Sequence, residues 1–240
     1  GKKRNLMHEK CSGDIIVYMD DDDYYPPQRI SHSVERLLSD DSVLCAGSSE
    51  IYIYFKNLDE IYKFGPYGEN HATAGTFAFK KSLLNITSYD DNACIAEEKH
   101  FLKNYTIPFI QLDPLKTILV FSHIHNTFNK SKLLEKENDL INISNKKIKH
   151  FIKDKYLIDF FLTIDEKLKL YSPGKPSMKP DVIKQIIDIE KKRKETYKKE
   201  RVKIIINGKK TRLNVDEISE IINKQQLDNN ILKQELEFVK

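Results

Sequence analysis

The chain has 240 residues, 40% of them hydrophobic, and its 40 Lys and Arg against 36 Asp and Glu leave a formal net charge of +4. This length is enough for one sizeable core, alone or with a small appended module. No apolar stretch approaches the roughly 18–20 residues that a membrane span needs. The three cysteines form no CxxC pair, which argues against a disulfide framework or a zinc ribbon. We therefore expect a reducing compartment, with the cytoplasm as the default.

The first informative element is a predicted buried strand that runs into acidic residues. The apolar residues 15–19 are followed by four aspartates at positions 20–23, then by two tyrosines and two prolines. Ligands bind at the carboxyl ends of strands in open α/β sheets. Four adjacent carboxylates repel one another, so a fold that gathers them there needs a cation, and oxygen ligands suit Mg²⁺ or Mn²⁺. The alternative is a solvated acidic turn.

Alternating helix and strand patterns after the aspartates predict an α/β protein. Pro27 begins a helix that continues to Ser39, because apolar residues recur there at helical spacing. The patterns up to residue 105 predict a strand over residues 43–55, a loop at 65–68, a strand over 73–79 leading into a short helix at 81–84, and a helix over 96–105. Short strands are predicted over 107–112 and 116–121. Helical structure is predicted over 131–170, with Ile148, Phe151, Ile152 and Tyr156 on one face of it.

Proline and glycine at positions 172–176 indicate a boundary, which gives predicted regions of 1–130, 131–175 and 176–240. Beyond it we expect a charged helix over 181–201, a hairpin around Asn207-Gly208, and a last helix from Asn214 with Glu217 completing a capping box. The last region holds 16 Lys and Arg against 11 Asp and Glu. Such a basic run is typical of a solvated helix face, and contact with nucleic acid or an anionic membrane is the alternative. We expect no nucleic-acid partner, because no stacking aromatic pattern or known motif accompanies it.

The last predicted helix has apolar and polar residues alternately four and three apart, the spacing of a coiled-coil seam. The seam comprises Ile218, Ile222, Gln225, Asn229, Leu232, Leu236 and Val239. Polar residues at two seam positions can fix the register of a dimer, so we expect dimerisation through residues 214–240. At three heptads, packing of this helix on its own domain is an equal alternative.

The segment around the aspartates resembles the metal-binding DxD segment of family 2 glycosyltransferases of the GT-A fold. Asp20 and Asp22 match the two motif aspartates and Asp23 the common third, while residues 1–5 (Gly-Lys-Lys-Arg-Asn) and 11–14 (Cys-Ser-Gly-Asp) match the family's lead-in. The resemblance covers roughly residues 1–130. It implies a GT-A mixed sheet, followed here by a mostly helical C-terminal region. It also implies that the first β-α units, which build most of the nucleotide-base pocket, lie upstream of Gly1, so residues 1–240 alone are expected to be weak or inactive.

The resemblance implies a divalent metal, Mn²⁺ or Mg²⁺, held directly by Asp22, with Asp20 facing the ribose or a metal-bound water. A histidine on a later strand is the expected third ligand. His123 and His125 are both candidates, because their i, i+2 spacing puts them on one face of a strand. His125 matches the family pattern better. The alternative is that these histidines simply form hydrogen bonds in the core.

The resemblance also implies donor contacts and a catalytic base. The donor-binding residues would be Asp20, Asp21, Arg4, Gly75 and Thr76. Gly75 and Thr76 lie in a small-residue segment that passes beneath the donor sugar in the family, although a tight strand crossing needs such residues equally. The base would be Glu98, the second acid of a Glu97-Glu98 pair that stands where the family has Glu-Asp. Alternatively, both glutamates merely favour the start of a helix.

Taken together, these features predict a metal-dependent inverting glycosyltransferase that moves a sugar from a nucleotide-sugar donor, UDP-linked in our interpretation, to a hydroxyl of a glycan or protein acceptor. The alternative hypothesis is a non-catalytic GT-A-like scaffold that binds glycans or protein partners.

Overall fold

The computed structural model describes residues 1–126, 128–135, 138–172, 175–199, 202–206 and 209–238. They form two compact units, Gly1–Ile183 and Lys184–Lys240. The strands are β1 (Ile15–Val17), β2 (Cys45–Gly47), β3 (Ile51–Phe55), β4 (Glu60–Phe64), β5 (Ala78–Lys80), β6 (Phe109–Gln111), β7 (Leu119–Ser122), β8 (Ile141–Ile143), β9 (Val202–Ile206) and β10 (Lys209–Leu213). The α-helices are α1 (Lys2–Lys10), α2 (Arg29–Leu38), α3 (Glu98–Phe101), α4 (Ile148–Phe151), α5 (Lys155–Leu162), α6 (Ile164–Leu168), α7 (Pro180–Lys199) and α8 (Val215–Phe238).

The first unit contains two mixed four-stranded sheets. The first sheet has the strand order β1-β5-β2-β6, in which only β2 and β6 pair in parallel. The second has the order β7-β3-β4-β8, in which only β3 and β7 pair in parallel. Aromatic residues fill both cores, and Phe77, Phe79 and Phe101 in the first are fully buried. The predicted mixed α/β class is therefore confirmed.

The two sheets are joined at the acidic segment that follows β1. The Tyr24 N–H donates to the Leu119 carbonyl at 3.0 Å, and the Leu119 N–H donates back to the Tyr24 carbonyl at 2.8 Å. The chain that leaves β1 of the first sheet is thus paired with β7 of the second. This pairing places the aspartates where the two sheets meet.

A buried arginine fixes the same region from the other side. The Arg29 side chain is fully buried, and its Nη2 donates to the backbone carbonyls of Tyr18, Thr76 and Phe77 at 2.8–3.2 Å. Its Nη1 donates to the Ser33 hydroxyl at 2.6 Å. Because the guanidinium is a rigid planar fork of donors, it holds the chain after β1 against the segment that precedes β5.

Three predicted elements differ from the structure within residues 1–105. The predicted strand 43–55 is two strands, β2 and β3, which belong to different sheets. The predicted helix 96–105 is only one turn, α3, because Lys103, Asn104 and Tyr105 have left-handed φ values of 48°, 57° and 64°. Strand β4 was not predicted, and the predicted strand 73–79 begins instead as a 3₁₀ turn, Ala74–Thr76, before β5.

The prediction of helical structure throughout residues 131–170 is also wrong in part. Strand β8 lies within this range and pairs with β4, and three short helices follow it. Phe151 and Ile152 are buried as predicted, whereas the Tyr156 side chain is 76% exposed. The apolar face is interrupted because the chain between α4 and α5 takes an extended path at Ile152.

The second unit agrees with the predicted pattern where it is described. Strands β9 and β10 pair antiparallel, with Ile204 opposite Thr211, and the predicted turn residues Asn207 and Gly208 lie outside the described residues. The capping box at α8 is confirmed. The Asn214 N–H donates to Glu217 Oε2 at 2.7 Å, and the Glu217 N–H donates to Asn214 Oδ1 at 2.9 Å.

Helix α8 is one uninterrupted helix of 24 residues. Its seam residues Ile222 and Leu232 are 47% and 55% exposed, and the seam residue Val239 lies outside the described residues. Among the helices of the described chain, none is long and apolar enough to cross a membrane. The predicted boundaries at residues 130 and 175 stay predictions.

Candidate active site

Three polar side chains converge beside the acidic segment. Asp22 Oδ2 lies 3.1 Å from His123 Nε2 and 3.2 Å from Asn126 Nδ2, although these residues are about a hundred positions apart in the chain. The Asn126 amide nitrogen is also 2.8 Å from His123 Nε2. The imidazole is 2% exposed, whereas the Asp22 side chain is 39% exposed. The hydrogen bond to His123 is the main reason that the pKa of Asp22 is lowered. The group therefore carries a negative charge that is open to a ligand.

A tight turn after β7 places His123, and not His125, beside Asp22. The Asn126 N–H donates to the His123 carbonyl at 3.1 Å, and the His123 N–H donates to Asn126 Oδ1 at 2.9 Å. The chain therefore leaves the strand at Ser122, so the expectation that both histidines share one strand face is wrong. His125 is buried elsewhere, with its Nε2 donating to the Tyr171 carbonyl at 2.6 Å. It does not contact Asp22.

Asp23 is the most deeply buried of the four aspartates. Its Oδ1 accepts from the Phe121 N–H at 2.9 Å, which ties the acidic segment to β7 two residues before His123. Burial, and then the neighbouring Asp22 charge, raise the pKa of Asp23 to about 7. Asp23 thus positions the segment rather than facing solvent.

Asp20 lies against the small-residue segment. The Asp20 N–H donates to the Tyr25 hydroxyl at 2.8 Å, and that hydroxyl donates to the Gly75 carbonyl at 3.1 Å. A Cβ at Gly75 would come within 2.7 Å of Asp20 Oδ2, so a larger residue there would require the Asp20 carboxylate to shift. Burial raises the pKa of Asp20, opposed by the Arg4 charge. Asp21, the other predicted donor contact among the aspartates, is exposed.

The remaining predicted donor residues have different surroundings. Arg4 Nε is 3.0 Å from Glu97 Oε1, and the guanidinium stacks 4.8 Å above the centre of the Tyr18 ring. Its charge also acts on Asp20. Thr76 is fully buried, and its hydroxyl accepts from the Ser48 N–H and donates to the Thr73 carbonyl. The Thr76 hydroxyl therefore forms its hydrogen bonds with the protein's own backbone.

The two glutamates of the predicted base motif have distinct roles in the structure. Glu97 forms the ion pair with Arg4. Glu98 begins α3, and its Oε1 accepts from the Ala74 N–H at 3.1 Å, next to the glycine that Asp20 contacts. Burial is the main cause that raises the pKa of Glu98, followed by the Glu97 charge. A buried carboxylate with a raised pKa suits general-base chemistry near neutral pH.

An open cleft of about 650 Å³ lies on the Glu97 side of α3, within the usual size range of ligand sites. Polar side chains line it, among them Thr87, Ser88, Lys103 and Asn104. His100 at its wall is held by a 3.0 Å hydrogen bond between Nδ1 and the Ser88 carbonyl. Hydroxyl-rich molecules are suited to such a lining.

The site can contribute two ligands to a divalent cation. Two cis ligands of an octahedral Mg²⁺, each about 2.1 Å from the ion, lie roughly 3 Å apart, and Asp22 Oδ2 and His123 Nε2 are 3.1 Å apart. Within the described residues, no group of three or more His, Cys, Asp or Glu side chains could hold a metal ion by itself. Mg²⁺ is commonly bound by one or two protein ligands and substrate phosphates. The residues therefore fit a cation that arrives with a phosphate ligand.

The His123 ring would need its other neutral tautomer to bind such a cation. Its Nδ1 accepts from the His125 N–H at 3.2 Å, which leaves Nε2 to donate to Asp22. Metal binding at Nε2 would require the ring proton to lie on Nδ1, at the expense of the hydrogen bond from the His125 N–H.

Sequence reasoning missed two members of the site. Asn126 was not predicted, although an Asn three residues after a histidine at the end of a strand is a signal for a side-chain-closed turn. Lys130 was also missed. Its ammonium interacts with the charges of Asp23, Asp22 and Asp20, and burial lowers its pKa. No short motif in the sequence marks this lysine.

The fold and the site together define a mixed α/β protein with an acidic, phosphate-compatible site at the junction of two sheets. Residues 1–96 match the family model of glycosyl transferase family 2, and the mixed α/β fold is consistent with a domain like those of this GT-A family. The match includes the four aspartates and Gly75 and ends just before Glu97. No curated protein matches the chain. The family match supports glycosyltransferase activity in general, with a nucleotide-sugar donor and an acceptor.

Proposed function

We propose that the protein is a metal-dependent inverting glycosyltransferase that transfers a sugar from a UDP-linked donor to an acceptor hydroxyl. The observation that carries this proposal is the meeting of Asp22 with His123 at 3.1 Å, beside the DxD segment of a family 2-like domain. His123 supplies a second metal-ligating side chain beside the acidic segment. A solvated acidic turn would have no such neighbour.

Residues on the donor side would bind and orient the nucleotide sugar. We assign direct metal contact to Asp22 and, in place of His125, to His123, because His125 is committed to the Tyr171 carbonyl. Asp20 and Arg4 would face the ribose and the phosphates, and Gly75 leaves room for the Asp20 carboxylate beside the small-residue segment. When bound, Mg²⁺ or Mn²⁺ neutralises the diphosphate leaving group.

Glu98 would act as the base. Its carboxylate takes the proton of the acceptor hydroxyl as that oxygen forms a bond to the anomeric carbon of the sugar. The bond from this carbon to the diphosphate breaks at the same time, and the nucleoside diphosphate leaves with the electron pair. Attack from the side opposite the leaving group inverts the anomeric configuration. The raised pKa of Glu98 brings it closer to that of an effective base at neutral pH.

We also propose that the acceptor, a glycan or a protein, binds partly in the cleft beside α3, while its reacting hydroxyl lies outside the cleft, since Glu97 lines it and Glu98 does not. The hydrogen-bonding side chains there, Ser88, Lys103 and Asn104 among them, match a sugar's hydroxyl groups. Dimerisation through α8 remains our proposal for the second unit, because the seam residues Ile222 and Leu232 are exposed along an uninterrupted helix.

The test, carried out on the full-length protein that contains these residues, is equilibrium binding of UDP with and without Mn²⁺, followed by release of UDP from a panel of UDP-sugars. The proposal expects Mn²⁺-dependent binding that is lost in Asp22→Ala, and UDP release from at least one donor. UDP binding without either hydrolysis or transfer would favour the non-catalytic scaffold. Binding of equal strength in EDTA and in Mn²⁺ would refute metal dependence.

A further inference from the structure

The turn that carries His123 and Asn126 is held from outside by a segment well beyond the family match. Residues 155–171, here called the brace, contain α5, α6 and the chain that follows them. Asp165 in α6 accepts from the Ile124 N–H through Oδ1 at 3.0 Å. The Tyr171 carbonyl accepts from His125 Nε2 at 2.6 Å. Two consecutive residues of the turn are thus anchored to the brace.

The brace also packs on both chain segments that form the site. The Phe161 ring in α5 stacks on Phe121 with 4.4 Å between centroids and 17° between planes. It meets Tyr24 edge-on at 6.1 Å. Phe121 precedes His123 by two residues, and Tyr24 follows Asp22 by two. The Phe161 ring therefore packs against the segment that carries His123 and against the segment that carries Asp22.

From these contacts we propose that the brace belongs to the active site and that Asp165 is a positioning residue for His123 and Asn126. The inference rests on the proposed function for its meaning, since Asp165 acts on a ligand through the turn and touches neither donor nor acceptor. Its carboxylate does two separable things. Oδ1 receives the Ile124 N–H, and Oδ2 pairs with Lys56 at 3.5 Å in an ion pair whose Lys56 and Asp165 side chains are 31% and 26% exposed. Lys56 directly follows β3, outside the turn, so the Ile124 hydrogen bond is the contact that positions the turn.

Groups that orient a metal ligand typically change metal affinity about 10- to 100-fold when removed. Asp165→Ala should accordingly raise the Mn²⁺ concentration needed for half-maximal UDP binding by about tenfold or more. Asp165→Asn keeps an oxygen acceptor for Ile124 and should stay within about threefold of the wild type. Lys56→Gln, which removes only the ion pair, should also stay close to it. Asp159→Ala is the matched control, because Asp159 lies exposed on the neighbouring helix α5.

The decisive measurement is a Mn²⁺ titration of UDP binding for these four variants, combined with amide hydrogen exchange of the metal-free protein at Ile124 and His125. The inference expects faster exchange at both amides in Asp165→Ala, and unchanged exchange in Asp159→Ala. Wild-type protein that binds no UDP at any Mn²⁺ concentration would overturn the proposed function, while the exchange result would still decide whether Asp165 holds the turn. An Asp165→Ala variant with unchanged exchange and unchanged Mn²⁺ dependence would overturn the inference. A loss of the same size in Lys56→Gln would instead assign the effect to the ion pair and overturn the role given to Ile124.

Discussion

Asp23 offers a direct test of how the acidic segment is built, since its carboxyl is buried against β7 and its pKa is raised to about 7 from an ordinary value of 3.8. A carboxyl with a raised pKa stabilises the fold while it is protonated. That contribution is complete below the unfolded pKa and is lost as the pH rises through the folded pKa. At roughly 1.4 kcal/mol per pKa unit, the total loss is on the order of 4 kcal/mol, and more than half of it falls between pH 5 and pH 8.

The perturbation is Asp23→Asn, which keeps the size of the side chain and an oxygen acceptor for the Phe121 N–H but cannot ionise. Urea unfolding in EDTA should show that the wild type loses more stability than the variant between pH 5 and pH 8, by roughly 2–3 kcal/mol. Other carboxyl groups titrate in both proteins, so the difference between the two pH profiles isolates Asp23.

Divalent cations should reduce this difference, because a cation at Asp22 offsets the negative charge that disfavours ionised Asp23. Parallel pH profiles for the wild type and Asp23→Asn in EDTA would refute the reasoning. They would mean that Asp23 ionises in the folded protein as readily as in the unfolded chain.

Three further predictions concern the site and the second unit. Glu98→Gln should lower the rate of sugar transfer by about 10²–10⁴-fold while UDP binding is unchanged. The acid limb of the wild-type pH–rate profile should lie above the pH at which an ordinary glutamate titrates. Equal transfer rates in the variant and the wild type would exclude Glu98 as the base. His123→Ala should abolish Mn²⁺-dependent UDP binding, whereas His125→Ala should weaken it less and lower the melting temperature; the reverse order would return the ligand role to His125. Asn229→Leu should tighten self-association through α8 in light scattering, and a monomer at every concentration for both proteins would contradict the dimer.

Much of the fold could be predicted from sequence signals that act over a few neighbouring residues. The apolar run before the aspartates has few options other than a buried strand, and it is β1. Proline near the start of α2 and the Asn214–Glu217 capping box at α8 act within a few residues, so their consequences could be predicted without knowing the rest of the chain. The acidic cluster could also be located, because its position follows from where the strand ends.

The partners of that cluster depended on distant contacts. The choice of His123 over His125 follows from where β7 ends, and this is set by Asn126 closing a turn and by Asp165 receiving the Ile124 N–H. Strand β8 exists because β4 offers it a pairing edge about eighty residues earlier in the chain. Hydrophobic periodicity alone reports which residues are buried, not which neighbour covers them, so these features could not be predicted from it.

The meeting of the two sheets at Tyr24 and Leu119 has a consequence for the resistance of the protein to proteolysis. Under the proposed function, a donor held by Asp22 and His123 spans the joint, since Asp22 follows β1 of one sheet and His123 follows β7 of the other. Binding to the folded state alone adds about 2.7 kcal/mol of stability at a ligand concentration one hundred times Kd. Bound donor would then slow proteolysis of the folded protein, so its resistance to protease in vitro should rise with the concentration of nucleotide sugar.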